Sequence, residues 1–284
     1  MGQDDPEILV STNWLADNLS NPNLRILDGS WYMPADNRDV QAEFLAAHIP
    51  GAQFFDIDAI SDQETDLPHM IPPVAQFETQ IANLGISNDN QIVVYDTKGL
   101  FSAARVWWLL RYFGLTNIAV LDGGLPKWQA EGHPTVSGAN DPTVGTLNAV
   151  PHTKLLRNAA QVLDASKTAG EQIIDARAPA RFRGEVPEPR AGLRAGHMPG
   201  AKSVFFMSLL NEDGTLKSDT ELAAVFQAQG VDLKKPIISS CGSGVTASVL
   251  SLALHKIGHT QHALYDGSWS EWGALPDTPV EQGK

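Results

Sequence analysis

The sequence predicts an α/β protein made of two tandem copies of one domain, each a mainly parallel sheet flanked by helices. Three observations predict it. Landmarks recur in the same order along the chain. Ile26-Leu27-Asp28 matches Ile173-Ile174-Asp175, His48-Ile49-Pro50-Gly51-Ala52 matches His197-Met198-Pro199-Gly200-Ala201, and Leu121-Asp122-Gly123-Gly124 with Trp128 matches Tyr265-Asp266-Gly267-Ser268 with Trp272. The offset runs only from 144 (Trp128 to Trp272) to 149 (His48 to His197), which indicates duplication. Short β-branched runs alternate with helical stretches, the pattern of a parallel sheet covered on both faces. The chain has 284 residues, 43% of them hydrophobic, a length that suits two domains rather than one.

The first copy is expected over residues 7–137, with Ile92-Val93-Val94-Tyr95 as a strand ending at Asp96. The stretch Ser137–His152 is rich in Gly, Pro, Asn and Thr and lacks periodicity, so the linker is set at residues 138–155. The second copy follows over residues 156–280. There Gln172–Asp175 and Pro236–Ser240 read as buried strands, and Thr220–Gln229 and Val245–Ile257 as helices. His48 and His197 stand in matching segments of both copies, so both are expected to serve the fold. Trp128 and Trp272 recur in the same way and are expected to pack the helix after Asp-Gly.

Charge narrows the partners. A formal net charge of −13 disfavours nucleic acid and anionic membranes. One cysteine excludes an internal disulfide and fits a reducing compartment. Met1–Asp5 carries two acids and no apolar run, Pro6 stands where a myristoylation signal needs Ser or Thr, and no apolar run is long enough to span a bilayer. A cytoplasmic monomer is expected. There is no cysteine–histidine cluster for zinc and no Gly-rich dinucleotide fingerprint, so neither metal nor organic cofactor is expected.

The chemistry points to Cys241. It should end the strand Pro236–Ser240, and Gly242-Ser243-Gly244-Val245-Thr246-Ala247 should lead into a helix. Two glycines in such a turn let successive amides point inward at the positive end of a helix dipole. That cradle favours a thiolate, the nucleophilic form of cysteine, and a sulfur within reach of solvent. A buried structural cysteine is the alternative, but it needs no anion cradle. Five arginines, Arg177, Arg181, Arg183, Arg190 and Arg194, stand out in an acidic chain. A solvated basic face, or pairing with Glu185 and Glu188, is the other reading of them. Arg177, just past Asp175, is expected to be structural.

The run Cys241-Gly242-Ser243-Gly244-Val245-Thr246-Ala247 resembles the active-site loop of the 3-mercaptopyruvate sulfurtransferases, relatives of rhodanese. The resemblance covers nearly the whole chain: two rhodanese-like domains, both His-Ile/Met-Pro-Gly-Ala segments, and Tyr265-Asp266-Gly267-Ser268-Trp269 near the end. Thiosulfate-type rhodaneses tend to carry bulky basic residues directly after the cysteine, whereas this chain has Gly242 and Ser243. Ser248 stands where many members have a second cysteine. Asp96 holds the place of Cys241 in the first copy. A carboxylate cannot relay sulfur, so that copy is expected to be catalytically silent.

The resemblance implies a donor, 3-mercaptopyruvate, and a persulfide on Cys241. It implies Arg181 and Arg190 as the clamp for the carboxylate and keto oxygen, with Gly242, Gly244, Val245 and Thr246 forming the rest of the binding loop. It implies Ser243, His69 and Asp58 as the proton relay, although the residues alone do not single out His69 and Asp58 over His48 and Asp56. Thioredoxin, a small thiol or cyanide is the implied sulfur acceptor. Thiosulfate transfer is the nearest rival. A phosphatase of the same fold would need arginine six positions after the cysteine, where Ala247 stands. A non-catalytic binding module remains the third reading.

Overall fold

A computed structural model describes Asp5 and residues 8–283. It resolves two compact units. The first comprises residues up to Asp62, Pro72–His152 and Asn211–Leu216; the second comprises Gln63–Ile71, Thr153–Leu210 and the remainder from Lys217.

The first unit runs β1 (Leu9–Val10), α1 (Thr12–Asn18), β2 (Leu24–Asp28), α2 (Val40–Ala46), β3 (Ala52–Phe54), α3 (Val74–Asn83), β4 (Gln91–Tyr95), α4 (Ala103–Tyr112), β5 (Ile118–Leu121) and α5 (Gly124–Ala130). The second repeats the plan with β6 (Leu156–Arg157), α6 (Ala159–Thr168), β7 (Gln172–Asp175), α7 (Pro179–Phe182), β8 (Lys202–Ser203), α8 (Asp219–Ala228), β9 (Ile237–Ser240), α9 (Ala247–Lys256), β10 (His262–Tyr265) and α10 (Ser268–Trp272). Each sheet has five strands, in the order β1-β5-β4-β2-β3 and β6-β10-β9-β7-β8. All pairings are parallel, with Ile26 opposite Val93 and Ile173 opposite Ile238. The two α/β domains expected from the repeat are therefore present.

Sequence explains these elements locally. Ile92, Val93, Val94 and Tyr95 are all fully buried, as a central strand with helices on both faces requires. Asn158 with Gln161 and Ser218 with Glu221 form capping boxes that start α6 and α8. Trp128 on α5 and Trp272 on α10 are completely buried, each donating its indole N–H to a proline carbonyl. His48 and His197 are buried, with Nδ1 hydrogen-bonded to the carbonyls of Phe44 and Phe182. Both histidines serve the fold.

Three differences from the sequence reading are instructive. Helix α9 starts at Ala247 rather than Val245, because residues 242–246 are used in the loop. The stretch expected as a linker has no regular element before a 3-10 turn at Thr153–Leu155, yet much of it is laced onto the first unit. Gly145, Asn148, Ala149, Val150 and His152 donate their amides to Ala82, Asn88, Glu78, Phe113 and Tyr112. Third, residues 63–71 fold with the second unit and residues 211–216 with the first. In the first unit the 211–216 turn is closed by Asn211 N–H to the Thr215 carbonyl. It is latched by Leu216 N–H to Asp122 Oδ1 at 2.8 Å. A Cβ added to Gly99 would lie 3.1 Å from Gly214 Cα, so this turn sits directly on the loop after β4.

The copies differ in one buried charge. Asp175, at the end of β7, is paired with Arg177. Its counterpart Asp28, at the end of β2, has Ser30 in place of the arginine and accepts that residue's amide N–H at 2.9 Å. Burial pushes Asp28 up to about 6 from 3.8, against the opposing hydrogen bonds of Ser30. A raised carboxyl favours folding fully below the unfolded value and loses that contribution as pH rises through about 6. Asp28→Asn is therefore expected to stabilise the first unit at pH 8 by up to about 3 kcal/mol, at about 1.4 kcal/mol per pKa unit, and to change little near pH 4. Urea unfolding at the two pH values measures this; an equal change at both would contradict the assignment.

Candidate active site

The loop after β4 displays what its strand-to-helix turn does with an anion. Asp96 follows the last residue of β4, and its Oδ2 accepts from the amides of Phe101, Ser102 and Ala103 at 2.7, 2.9 and 2.8 Å. Its Oδ1 accepts from the Lys98 amide at 2.8 Å. Four backbone donors converge on one buried carboxylate at the start of α4, where a helix leaves its first amides without internal partners.

The loop after β9 repeats this geometry 145 residues later, with Cys241 in place of Asp96. Gly99 and Gly244 both take left-handed φ values, +96° and +80°. Both loops end in a helix, at Ala103 and Ala247. Among the described residues, no acceptor takes the amides of residues 242–246. The amides that close on a carboxylate in one copy have no such acceptor among the described residues in the other.

The thiol is only 2% exposed, so the solvent access expected from sequence is not met by the side chain itself. Cys241 directly follows the central strand β9. Ser240, Ser243 and Ser268, neighbours of Cys241 in sequence or through its backbone, are buried as well. The Cys241 amide donates to Ser268 Oγ at 3.2 Å, and Ser268 Oγ donates to the Tyr265 carbonyl. The Cys241 carbonyl accepts from the Trp269 amide, and that of Gly242 accepts from the Ser270 amide and hydroxyl. The Cys241 backbone is thus fixed by the turn after β10.

His69 lies in the 63–71 segment of this unit. It is 5% exposed, and its Nδ1 is 3.0 Å from Ser243 Oγ, two residues past the cysteine. Two residues beyond, the Ile71 amide donates to Asp266 Oδ2 at 2.7 Å. Four described non-glycine residues have positive φ. Asn37 and Ala169 cap helices, whereas His69 (+61°) and Ser268 (+49°) both touch the Cys241 loop. Such conformations persist only where surrounding contacts over-determine them, and they concentrate at functional sites. Asp58, expected behind His69, belongs to the first unit, where both its carboxylate oxygens accept from the Trp31 indole N–H at 3.2 and 3.1 Å.

The five arginines separate by environment. Arg177 is buried, paired with Asp175 at 2.7 Å and Glu188 at 2.9 Å, and packs on the Trp269 ring at 4.3 Å, so it is structural as expected. Arg194 is bonded to the carbonyls of Trp272, Gly273, Leu275 and Thr278, and Arg183 forms an exposed pair with Glu185. Arg181 pairs with the buried Glu188, yet its guanidinium also reaches the cysteine loop: a Cβ on Gly242 would lie 3.2 Å from its Nη2. The pairing with Glu188 that the sequence offered is therefore present, and the same guanidinium lies beside the cysteine loop. Arg190 is partly buried on the loop between α7 and β8. Glu188, Ser268, Asp266 and Trp31 were not picked out as site residues in the sequence. The usable signal for Ser268 was the replacement of the matching Gly124 by serine. Among the described residues, no group of three or more His, Cys, Asp or Glu is arranged to hold a metal ion.

A duplicated five-stranded parallel α/β domain with a cysteine in a backbone-amide loop defines a class, and the comparisons agree. The Rhodanese-like domain family matches residues 11–131 and 158–275, and the chain belongs to that family. The chain is 46% identical to the 3-mercaptopyruvate sulfurtransferase of Escherichia coli K12 over 97% of its own length and 98% of the relative's. It is 45% identical to the thiosulfate sulfurtransferase of Rattus norvegicus, over 97% and 96%. The crystal structure of the E. coli 3-mercaptopyruvate sulfotransferase SseA superposes with a TM-score of 0.86 at 44% identity, covering 92% of this chain and 98% of that one.

Arg177 and Arg181 share Glu188, but only Arg177 is fully enclosed. Arg177→Met is expected to cost about 3–5 kcal/mol of stability, because it strands the buried Asp175 carboxylate and leaves Glu188 with Arg181 alone. Arg181→Ala should cost far less. Chemical denaturation of both variants reads this, and equal losses would contradict the division between them.

Proposed function

We propose that this chain is a sulfurtransferase that takes the sulfur of 3-mercaptopyruvate onto Cys241 as a persulfide and releases pyruvate. The observation that carries the reading is the hydrogen bond between His69 and Ser243, 3.0 Å long, on the loop of the only cysteine. A serine hydroxyl backed by histidine is a proton-transfer device. Mercaptopyruvate needs one, because its carbon leaving group departs as an enolate, whereas sulfite leaving from thiosulfate needs no proton.

The steps follow from these groups. The Cys241 thiolate attacks the donor sulfur, forming an S–S bond as the C–S bond breaks and its electrons pass to carbon. Amides of the 242–247 loop, with Gly242, Gly244, Val245 and Thr246 shaping it, stabilise the negative charge. Arg181 and Arg190 hold the carboxylate and keto oxygen by charge-assisted hydrogen bonds. The enolate gains a proton through Ser243 and His69, with Asp58 assigned to the same relay. A second thiolate, from thioredoxin or a small thiol, or cyanide, then attacks the outer sulfur and frees Cys241.

Thiosulfate transfer is the second reading, favoured by the near-equal identity to the rat thiosulfate enzyme. Donor competition separates the two. We expect kcat/KM to be higher for 3-mercaptopyruvate, and the reverse order would overturn the assignment. Intact mass after donor addition should rise by one sulfur atom, and not in Cys241→Ser. Arg181→Ala and Arg190→Ala should each lose about 1.5–3 kcal/mol of donor binding, seen mainly in KM. His69→Ala should lower kcat with mercaptopyruvate about 100-fold or more and affect thiosulfate less, and equal slowing would remove the relay.

A further inference from the structure

The aspartate that follows the last strand of each sheet does the same thing in both copies. Asp122, after β5, accepts the Leu216 amide at 2.8 Å, and Asp266, after β10, accepts the Ile71 amide at 2.7 Å. Leu216 and Ile71 both lie in the segments that fold with the unit opposite to their place in the sequence. The aspartates are thus matched latches on matched segments. Their consequences differ, because what the segments carry differs. The 211–216 turn rests on the Asp96 loop through Gly214, with no side chain at the contact. The 63–71 segment carries His69 onto Ser243.

His69 sits there at φ +61°, a conformation that costs a histidine energy and that a short loop relaxes unless held on both sides. Pro68 restricts the preceding residue, and Pro72 restricts Ile71 to extended backbone. Neither fixes the segment against the second unit. The hydrogen bond from Ile71 to Asp266 does, two residues from the histidine. Asp266 is 3% exposed, and a buried carboxylate accepting an amide makes a short, charge-assisted bond.

We propose that Asp266 is a positioning residue for proton transfer: by gripping the Ile71 amide it holds His69 in its left-handed conformation against Ser243. The inference rests on the His69–Ser243 relay proposed above and adds the residue on which that relay depends. Asp266 itself touches neither donor nor sulfur in this role. Its loss should therefore spare donor binding and lower the rate of the proton-dependent step.

The test uses Asp266→Ala and Asp266→Asn, each alone and combined with His69→Ala, with Asp122→Ala as the matched control. Asp266→Ala is expected to lower kcat for 3-mercaptopyruvate about 10–100-fold with KM nearly unchanged, the cost of displacing a catalytic group by about 1 Å. The effect on thiosulfate turnover should be smaller. Asparagine keeps an acceptor oxygen and should restore most of the rate. On the His69→Ala background, Asp266→Ala should change kcat less than about twofold, because the two losses act as a unit. Asp122→Ala removes the equivalent bond at the silent loop and should leave kcat unchanged. Where Asp266→Ala does not fold, Ile71→Pro removes the same bond from the donor side and carries the same expectation. An undiminished kcat in Asp266→Ala, or a loss just as large without His69, overturns the inference. His69→Ala with full activity overturns the relay itself, and the two failures are told apart by that single variant.

Discussion

A helix that starts abruptly at the end of a central strand leaves a knot of amide hydrogens with no partner inside the helix. Both copies of this domain are built around that constraint, at residues 97–103 and 242–247. The first copy resolves it internally, because the Asp96 carboxylate takes four of the amides. The second leaves a soft, neutral-or-anionic sulfur in the same position, so the donors remain available to charge that appears during reaction. The difference between the Asp96 loop and the Cys241 loop is one of electrostatic occupancy rather than of fold.

That constraint also accounts for the scaffolding behind each loop. The Asp96 carbonyl accepts the Leu125 amide, and the Cys241 carbonyl accepts the Trp269 amide, so the turn after the neighbouring strand fixes the loop's first peptide in both units. In the first copy a Cβ at position 124 would lie 2.4 Å from the Asp96 carbonyl at φ +58°, and glycine is retained. In the second, serine takes the equivalent place at φ +49°, and its hydroxyl bridges the Cys241 amide and the Tyr265 carbonyl. The strain is tolerated where that hydroxyl holds the Cys241 amide.

The repeat made the fold legible. A near-constant offset between landmarks gave two domains, and the buried runs around Ile92 and Ile237 gave their central strands. Cys241 was legible because it is unique and flanked by glycines. Arg177 was separable from Arg181 by its place beside Asp175. What sequence did not show was contact across long separations. Nothing in Leu67-Pro68-His69-Met70 states that its histidine meets a serine 174 residues away, and only family resemblance chose it over His48. Glu188 was visible only as a possible partner, since a shared buried carboxylate between two arginines is a property of packing. Asp266 was hidden for the opposite reason: its recurrence in both copies marked it as part of the fold, which is true and incomplete.

The single cysteine has a further consequence for durability. Ser248, in the first turn of α9 where the resemblance places a second cysteine in many relatives, has its hydroxyl committed to the Gly244 carbonyl. Peroxide reacting at Cys241 would yield a sulfenic acid that no neighbouring sulfur in the chain can trap as a disulfide. Rescue then depends on an external thiol arriving before further oxygen atoms add. The near-complete enclosure of the side chain slows both the damage and the repair.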